Sequence, residues 1–434
     1  MFLKRIAAVL CAFALAFSLT ACSAIDTNVE DMITPPLQDG DIYDIQKALE
    51  ASVGNKIILK YPISGDYRAA FSFMDIDGDG VEEALALYSV NNDGTVSMHL
   101  NIIDKIEDEW VSRSDIKVVG NGVEKLAFSD LNDDKVPEII VGWMIYGTVD
   151  KQVGVYTYDG TALNQRAMEK YTDFLCASLK QGGNEELIVI DLNTTDKTSS
   201  VKVLSLNDTG IVESGSAMLD GGVTSYSAPI VSTLSDGRPA LFLDAIKGTG
   251  TLTEIIWFDD NTLKSTYDPL LAETSLTFRP SAVYLRDIDG NGDYEIPVMS
   301  ILKSTEQKPE VDKVYVTSWS SFNGKKLVTE MNTFMNYTDG YYLSIPAKWM
   351  NKLHLARKTD SKQRIFYSYD PKTDTQGDEL FRIVAVEGAV QRENTDEYFE
   401  LGKHNEITYF AKVVENNDLS ITEEQLKENF FIIK

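Results

Sequence analysis

The segment Asp75-Ile76-Asp77-Gly78-Asp79-Gly80 shares its pattern with two later segments, and this repetition decides the fold. The later segments are Asp130-Leu131-Asn132-Asp133-Asp134-Lys135 and Asp287-Ile288-Asp289-Gly290-Asn291-Gly292, and each of the three precedes a glutamate by three residues (Glu83, Glu138 and Glu295). Oxygen-bearing side chains at the first, third and fifth positions can converge on one hard cation, and a following glycine permits a sharp turn. Calcium accepts such ligands, whereas zinc prefers Cys and His, and the chain has only three histidines. The segments therefore predict metal-binding loops.

An EF-hand loop begins in the same way, but it carries a bidentate glutamate at its twelfth position and lies between helices. Here the twelfth positions are Ala86, Val141 and Val298, and short apolar, strand-like runs flank the loops. We therefore expect loops that join two β-strands. Simple polar turns are the other alternative. Three copies in one register favour a metal in the first and third loops, while Lys135 replaces the turn glycine and leaves both interpretations open for the second.

Degenerate copies of the same unit lie between the second and third loops, at residues 182–190 and 237–243. They keep the turn and the following apolar strand but lack the spaced acids. Aligning Glu83, Glu138, Glu186, Ala240 and Glu295 gives spacings of 55, 48, 54 and 55 residues. A hairpin turn recurs downstream in every unit, at residues 107–109, 158–160, 207–210, 259–261 and 322–324. Four strands in each unit predict a mainly β fold. We expect a β-propeller of about five four-stranded blades over residues 67–335. A degenerate sixth blade at either end of this range is the alternative.

Residues 73–83 and 284–295 resemble FG-GAP/VCBS repeats, the blades of integrin-α-like propellers and of many bacterial surface proteins. The resemblance implies structural calcium held by the side chains at positions one, three, five and nine and by the carbonyl at position seven. The implied ligands are Asp75, Asp77, Asp79, Val81 and Glu83; Asp130, Asn132, Asp134, Val136 and Glu138; and Asp287, Asp289, Asn291, Asp293 and Glu295. It also implies binding or adhesion, although related propellers occur in polysaccharide lyases, and a shared fold does not choose between them.

The N-terminus predicts a bacterial lipoprotein. Lys4 and Arg5 precede an apolar stretch over residues 6–17, which is too short for a permanent membrane span. Leu19-Thr20-Ala21-Cys22 resembles a lipobox, which implies cleavage after residue 21 and acylation of Cys22; an ordinary signal peptide is the alternative. Residues 22–40 are expected to form a polar tether outside the cytoplasm, so that lipid is the only membrane contact.

The charge of the chain limits the classes of partner it can bind, and its cysteine content limits the cross-links it can form. Without residues 1–21 the chain has 38 basic and 67 acidic residues, a net charge of −29, which argues against nucleic acid and anionic membrane surfaces. Cys11 leaves with the leader and Cys22 is acylated, so Cys176 remains as an unpaired core residue and calcium is the available cross-link. We expect a monomer.

Both flanks of the repeat have recognisable elements. Ile42, Ile45, Leu49 and Val53 recur at helical spacing before Gly54, which predicts an amphipathic helix and a lead-in strand over residues 41–66. Residues 336–434 predict a small, mostly antiparallel α+β domain, with a final helix that begins at Thr422 and a capping box completed by Gln425.

No catalytic motif stands out in the sequence. His354 and His404 could meet in the C-terminal domain, and the tryptophans of the repeat are chiefly packing residues, with one or two as a possible sugar platform: Trp110, Trp143, Trp257 and Trp319. We expect a non-catalytic scaffold for an extracellular glycan or protein. The alternative is a polysaccharide-active, lyase-like enzyme, which convergent Lys or Arg, Tyr and Asp side chains in a deep central cleft would favour.

Overall fold

The computed structural model of this chain is built almost entirely of β-strands. It describes residues 39–54, 56–92, 95–145, 151–270, 275–355, 363–388 and 397–433. The predicted leader, Cys22 and most of the tether lie outside these residues. Within them, the strands form six antiparallel sheets, so the prediction of a mainly β protein is confirmed.

The first three sheets follow one another along the chain, after a helix that precedes the first. Their elements are α1 (Asp39–Val53); β1 (Ile57–Leu59), β2 (Phe71–Met74), β3 (Glu83–Asn92), β4 (Thr95–Ile106) and β5 (Glu109–Val118); β6 (Gly122–Ser129), β7 (Glu138–Met144), β8 (Lys151–Tyr158) and β9 (Leu163–Tyr171); and β10 (Asp173–Ala177), β11 (Glu186–Asn193), β12 (Thr198–Asn207) and β13 (Gly210–Leu219). Strands within each sheet pair in chain order, and β1 and β2 pair with different parts of β3.

The fourth sheet is arranged like the first, whereas the fifth and sixth sheets depart from chain order. Their elements are β14 (Ser225–Tyr226), β15 (Ile230–Thr233), β16 (Pro239–Lys247), β17 (Gly250–Asp259) and β18 (Thr262–Ser265); β19 (Ile296–Ile301), β20 (Tyr315–Phe322), β21 (Leu327–Asn336) and β22 (Tyr341–Ser344); β23 (Leu353–Leu355), β24 (Gln363–Asp370), β25 (Thr375–Glu387), β26 (Phe399–His404) and β27 (Ile407–Val413); and α2 (Glu423–Asn429) and β28 (Phe430–Ile432). Short 3-10 turns span Lys303–Thr305 and Glu310–Asp312. The fifth sheet has the order β19-β20-β21-β22-β28, so it continues beyond residue 335 and includes the last strand of the chain.

The five predicted hairpin turns are present, and each joins two consecutive strands that pair within one sheet. They connect β4 to β5, β8 to β9, β12 to β13, β17 to β18 and β20 to β21. Glycines with positive φ occupy three of them, Gly160 at 80°, Gly210 at 130° and Gly324 at 81°, where a side chain would be strained.

Each sheet packs against the next one along the chain. One apolar cluster joins the first and second sheets through Leu100 and Trp143, and another joins the second and third through Val155 and Phe174. Further clusters join the third to the fourth sheet and the fourth to the fifth. Among the described residues, no hydrophobic cluster joins the first sheet to the fifth.

The two outer faces of this series are covered by different elements. Ile45 and Leu49 of α1 are fully buried against Tyr88 and the neighbouring apolar residues of the first sheet. Gly54 ends the helix with φ 86° and donates to the Glu50 carbonyl at 2.8 Å. At the other end, the fifth sheet packs against the sixth around Trp349.

The C-terminal part contains the predicted capping box. Thr422 accepts a hydrogen bond from the Gln425 amide, and the Gln425 side chain accepts one from the Thr422 amide. His354 on β23 and His404 on β26 lie on opposite edge strands of the sixth sheet, so the suggestion that they meet is wrong. In the described part of the chain, no helix combines the length and apolarity that a bilayer span requires.

Candidate metal centres

The first acidic loop connects β2 to β3 and is folded around the carboxylate of Asp75. Asp75 Oδ1 accepts from the Gly78 amide at 2.7 Å, and Oδ2 accepts from the Gly80 amide at 3.0 Å. Both glycines have positive φ, 78° and 89°. A Cβ on Gly78 would also stand 2.8 Å from Val136 Cγ2 of the second loop, so glycine is required there for two reasons.

Three carboxylates meet inside this loop. Oxygen atoms of Asp75, Asp77 and Glu83 all lie within 4.8 Å of one another. Glu83 is 1% exposed; its Oε2 accepts from the Ile76 amide at 2.9 Å, but its buried Oε1 has no hydrogen-bond partner. Burial, together with the nearby Asp77, Asp104 and Asp75, raises the pKa of Glu83 to about 7. A buried, unpaired carboxylate oxygen is costly unless a proton or a cation compensates it, so these residues fit a hard cation.

The third loop repeats this geometry. Asp287, Asp289 and Glu295 place carboxylate oxygens within 4.8 Å of one another. Asp287 accepts from the amides of Gly290 at 2.7 Å and Gly292 at 3.0 Å. Glu295 is 2% exposed and accepts from the Ile288 amide at 3.0 Å, and burial raises its pKa to about 7. The same donor set therefore recurs about two hundred residues later in the chain.

The second loop has the same backbone but a different interior. Asp133 and Lys135 take the places of the two glycines at φ 63° and 75°, and the Lys135 ammonium turns away to pair with Asp133. The Asn132 amide nitrogen donates to Asp134 Oδ2 at 2.9 Å and to Glu138 Oε1 at 3.1 Å. Asn132 Oδ1 accepts from the Asp134 amide at 2.9 Å, which fixes the orientation of the side-chain amide. An internal amide thus bridges Asp134 and the buried Glu138 in the second loop. In the third loop the Asn291 amide donates only to Asp289, at 3.2 Å, and in the first loop no side-chain amide is present.

The third and fourth units differ from the others at the position that corresponds to Glu83. Glu186, at the start of β11, is 6% exposed, and the Lys180 ammonium lies 3.2 Å from its Oε1. Ala240 stands at the equivalent position of the fourth unit and carries no charge. Where a unit has a glutamate at this position, its carboxylate either bonds to a side-chain nitrogen, as in the second and third units, or lies close to the carboxylates of two aspartates, as in the first and fifth.

The other predicted ligands occupy consistent places. Asp79 Oδ1 and Asn291 Oδ1 each accept from the amide two residues later, Val81 and Asp293, at 2.7 Å. The side chain of Asp293 accepts from the Thr233 hydroxyl at 2.6 Å, which leaves its backbone carbonyl for a metal. Val136 occupies the corresponding place in the second loop, where its amide donates to Asp134 Oδ1 at 2.8 Å.

A serine, a histidine and an aspartate also meet on the first sheet, where no sequence motif predicts such a cluster. Ser97 Oγ lies 3.1 Å from His99 Nε2, and His99 Nδ1 lies 2.8 Å from Asp115 Oδ2. This connectivity matches a nucleophile, its base and an orienting acid. However, Ser97 is only 5% exposed, and Asp115 also accepts from Tyr88 at 2.6 Å. We assign the cluster to the packing of this sheet face, since Asp115 is shared among His99, Tyr88 and Asn101.

A second unexpected cluster lies at one end of the second sheet, beside β10 of the third. Tyr171 donates to Glu124 at 2.5 Å, Lys151 pairs with the same carboxylate at 2.8 Å, and Lys125 donates to the Phe174 carbonyl at 2.7 Å. Lysine, tyrosine and acid side chains therefore converge here. Paired β-strand neighbours at long sequence separation produce this convergence, so no local pattern could indicate it.

Comparisons with known proteins show only a distant likeness. No family model matches the sequence, and no curated protein matches it either. Among solved structures, rhamnogalacturonan lyase YesW has a TM-score of 0.31 and 11% identity, covering 74% of this chain and 83% of that one. A Bacillus licheniformis rhamnogalacturonan lyase gives 0.29 and 12%, covering 68% and 74%. The periplasmic gluconolactonase of Pseudomonas aeruginosa gives 0.26 and 10%, covering 74% and 87%. Values of this size transfer neither a fold nor an activity.

Proposed function

We propose that this chain is an extracytoplasmic, lipid-anchored scaffold that binds an extracellular glycan or protein and is stiffened by calcium. Its five repeat units would be FG-GAP/VCBS-like blades of a propeller-like array. The buried Oε1 of Glu83, which has no partner in a loop where Asp75 and Asp77 also converge, is the observation that carries this proposal. It calls for a cation at the junction of two strands, where a bound ion would rigidify the scaffold.

The donor set favours calcium over other ions. All candidate ligands are carboxylate, amide or carbonyl oxygens, which suit calcium, and magnesium would demand a more regular octahedral set. We infer two sites, in the first and third loops. The second loop is proposed to be empty or weak, because Asn132 already donates to Asp134 and Glu138.

Thermal melting of the soluble chain from residue 23 onwards tests the calcium proposal. A ligand that binds only the folded state stabilises it, so the melting temperature should rise by several degrees between chelator and millimolar calcium. Magnesium at equal concentration is the matched control and should give a smaller shift. Identical melts in calcium and in chelator would refute the metal sites.

The membrane anchor is a separate proposal that rests on residues 19–22 alone. Replacing Cys22 with Ser removes the acylated thiol, so the protein should move from the membrane fraction to the soluble extracytoplasmic fraction. Unchanged fractionation of Cys22→Ser would reject lipid anchoring while leaving the scaffold proposal intact.

The lyase-like alternative draws its support from the convergence of Lys125, Lys151 and Tyr171 with Glu124. A lyase needs a base that loses its proton near neutral pH. Burial, followed by the hydrogen bond to Glu124, instead raises the pKa of Tyr171 above its ordinary value. The lysines are also engaged, Lys151 with Glu124 and the Thr172 carbonyl, so this cluster is closed on itself and counts against the lyase-like alternative.

A direct assay decides between the two functions. The soluble chain should release no unsaturated product from polygalacturonate or other acidic polysaccharides, as followed by ultraviolet absorbance. Product formation that Lys151→Met and Tyr171→Phe abolish would establish the enzyme. For the binding function, a glycan and surface-protein array is the primary screen, and a blank array would count against it.

A further inference from the structure

A cavity of about 250 Å³ lies beside β17, where the short strand β18 has ended and the β20–β21 hairpin of the fifth sheet approaches. Glu254 and Trp257 of β17 line it, together with Asp220, Tyr267, Phe322 and Lys325. The hydroxyls of Thr266 and Thr277 satisfy the free edge of β17, donating or accepting at 2.7–3.0 Å. The backbone groups of Thr253 and Ile255 on this strand edge therefore need no hydrogen bond from a ligand.

Trp257 lines this cavity and carries an unused hydrogen-bond donor. The residue is 6% exposed, its ring meets Phe322 edge to face at 5.3 Å, and its buried indole N–H has no partner. Two other buried tryptophans of the repeat are satisfied: Trp143 donates to Tyr156 at 2.9 Å and Trp319 donates to Thr333 at 2.8 Å. A buried N–H without a partner costs free energy, so an acceptor from a ligand would compensate it.

Two buried carboxyl groups supply acceptors in the same cavity. Glu254 is 2% exposed, and its Oε1 accepts from the Asp220 amide at 2.7 Å. Asp220 is 4% exposed and pairs with the Lys247 ammonium at 2.7 Å, so its charge is balanced inside the protein. Burial raises the pKa of Glu254 to about 7, which lets this group both donate and accept near neutral pH.

We propose that this cavity binds one neutral, hydroxylated sugar ring, with a ring hydroxyl accepting from the Trp257 N–H and other hydroxyls bonded to Glu254 and Asp220. This inference rests on the proposed binding function and names its ligand class. The volume is slightly below the roughly 300 Å³ at which pockets for drug-sized molecules begin, so it suits a single terminal residue of a glycan. An aromatic wall combined with a few polar groups is the composition expected for such a site.

Binding of simple sugars to the soluble chain in calcium tests the inference. The probes are methyl glycosides of glucose, galactose and N-acetylglucosamine, with those of glucuronic acid and glucosamine as charged comparisons, observed by saturation-transfer NMR and titration. At least one neutral glycoside should bind. Trp257→Phe keeps the ring against Phe322 but removes the N–H, and it should weaken that binding about tenfold.

Trp319→Phe is the matched control, because it removes an indole N–H outside the cavity. It should leave glycoside binding unchanged and lower the melting temperature, since it breaks the bond to Thr333. Trp257→Phe should lower the melting temperature less, because both variants shrink a buried ring but only Trp319→Phe also loses a hydrogen bond.

Three results would overturn the inference: no glycoside binds, only charged glycosides bind, or Trp257→Phe binds as the wild type does. The proposed binding function can survive each of them. Array ligands that Trp257→Phe retains would refute this cavity alone, whereas a blank array would refute the binding function itself.

Discussion

At the residue scale, the second acidic loop differs from the first and third in a side-chain amide that reaches the buried glutamate, whereas the Asn291 amide of the third loop donates only to Asp289. Asn132 donates to two carboxylates that would otherwise face each other, and Lys135 adopts φ 75° where the other loops have glycine. A non-glycine residue in this region is strained by about 1 kcal/mol. The second loop therefore has the backbone fold that a metal site needs, but the side-chain oxygens of Asp134 and Glu138 are already hydrogen-bonded to Asn132.

The double variant Asn132→Asp/Lys135→Gly should create a third calcium site. It restores a carboxylate at the third position and a glycine at the turn, as in the first loop. Isothermal titration calorimetry should then show three bound calcium ions per chain in the variant and two in the wild type. Lys135→Gly alone is the control: it should relieve the backbone strain and stabilise the protein slightly without adding a site. A stoichiometry that stays at two would show that Asn132 is not what keeps the loop closed.

Glu83→Gln should remove much of the stabilisation that calcium gives. At a free calcium concentration of about 100 times Kd, one site contributes roughly 2.7 kcal/mol, and the neutral amide forfeits this. In chelator the variant should be as stable as the wild type or more so, because the unpaired Oε1 no longer carries charge. Glu138→Gln is the matched control, and its calcium-dependent increment in urea unfolding should equal that of the wild type. Equal losses in both variants would contradict the difference between the loops.

The buried glutamates also predict an unusual pH dependence for the calcium-free protein. Burial raises the pKa of Glu83, Glu138 and Glu295 to about 7, above the ordinary value of a glutamate in an unfolded chain. Between these pKa values the folded state holds protons that the unfolded chain has released, so the stability that these three groups contribute is fully present below about pH 4.5 and is lost as pH rises through 7. Each group can contribute up to about 3 kcal/mol to this fall.

Urea unfolding of calcium-depleted protein between pH 5 and pH 8 measures this effect. Calcium should reduce or reverse the slope, because the cation binds the deprotonated carboxylates. A calcium-free profile that is flat or that rises with pH would contradict the assigned environment of these glutamates.

The ligand pattern was readable from the sequence because it is local. Asp75, Asp77 and Glu83 lie within nine residues, and a turn brings them together without help from the rest of the chain. The pairing of Glu186 with Lys180 and the amide bridge of Asn132 depend on side-chain conformations that spacing does not fix. The sequence could therefore propose three loops and set the second apart through Lys135, but it could not show that Asn132 bridges the carboxylates there.

At the element scale, one buried ion pair links the fourth sheet to the segment that leads into the third loop. Arg279 is fully buried and donates to Asp244 Oδ1 at 2.6 Å and to the Thr253 hydroxyl at 2.9 Å. The other carboxylate oxygen of Asp244 accepts from the Leu285 amide at 2.7 Å. Both charges are surrounded by partners, so each depends on the other.

Asp244→Asn should destabilise the protein by about 3–5 kcal/mol, because it leaves the Arg279 guanidinium buried without a counter-charge. Glu423→Gln is the control: it breaks the exposed pair with Lys427 on α2 and should change stability by less than about 0.5 kcal/mol. Urea unfolding of the two variants provides the comparison. A loss below 1 kcal/mol in Asp244→Asn would mean that this ion pair does not hold the two segments together.

Elements were predictable where their signals were short-range. The five hairpins and the capping box of α2 depend on a few adjacent residues, and all are present. β23 and β28 are three residues long, and they form because a neighbouring strand offers a partner, which sequence periodicity does not report. The ion pair of Asp244 with Arg279 spans 35 residues and was equally invisible.

At the scale of the whole molecule, the described sheets form a series whose two ends are covered by elements from outside the repeat. α1 covers the outer face of the first sheet and the sixth sheet covers the outer face of the fifth. Repeat arrays need such caps because each terminal repeat lacks one neighbour. In a closed propeller the first and last blades would cover each other instead. The covered ends therefore indicate an interrupted ring or an open array.

Leu49→Asp tests whether α1 is a cap on which the molecule depends. Leu49 is fully buried against the first sheet, so a charge there should expose the apolar face around Phe71 and Tyr88 and cost about 3 kcal/mol or more. The variant should melt earlier, bind a hydrophobic dye and self-associate during size-exclusion chromatography, because the uncovered sheet offers a surface to a second molecule. Tyr43→Ala, at a position of α1 that is 68% exposed, is the control and should behave as the wild type. If the first and fifth sheets instead closed on each other, loss of the helix would leave no face uncovered, and Leu49→Asp would remain monomeric and bind no dye.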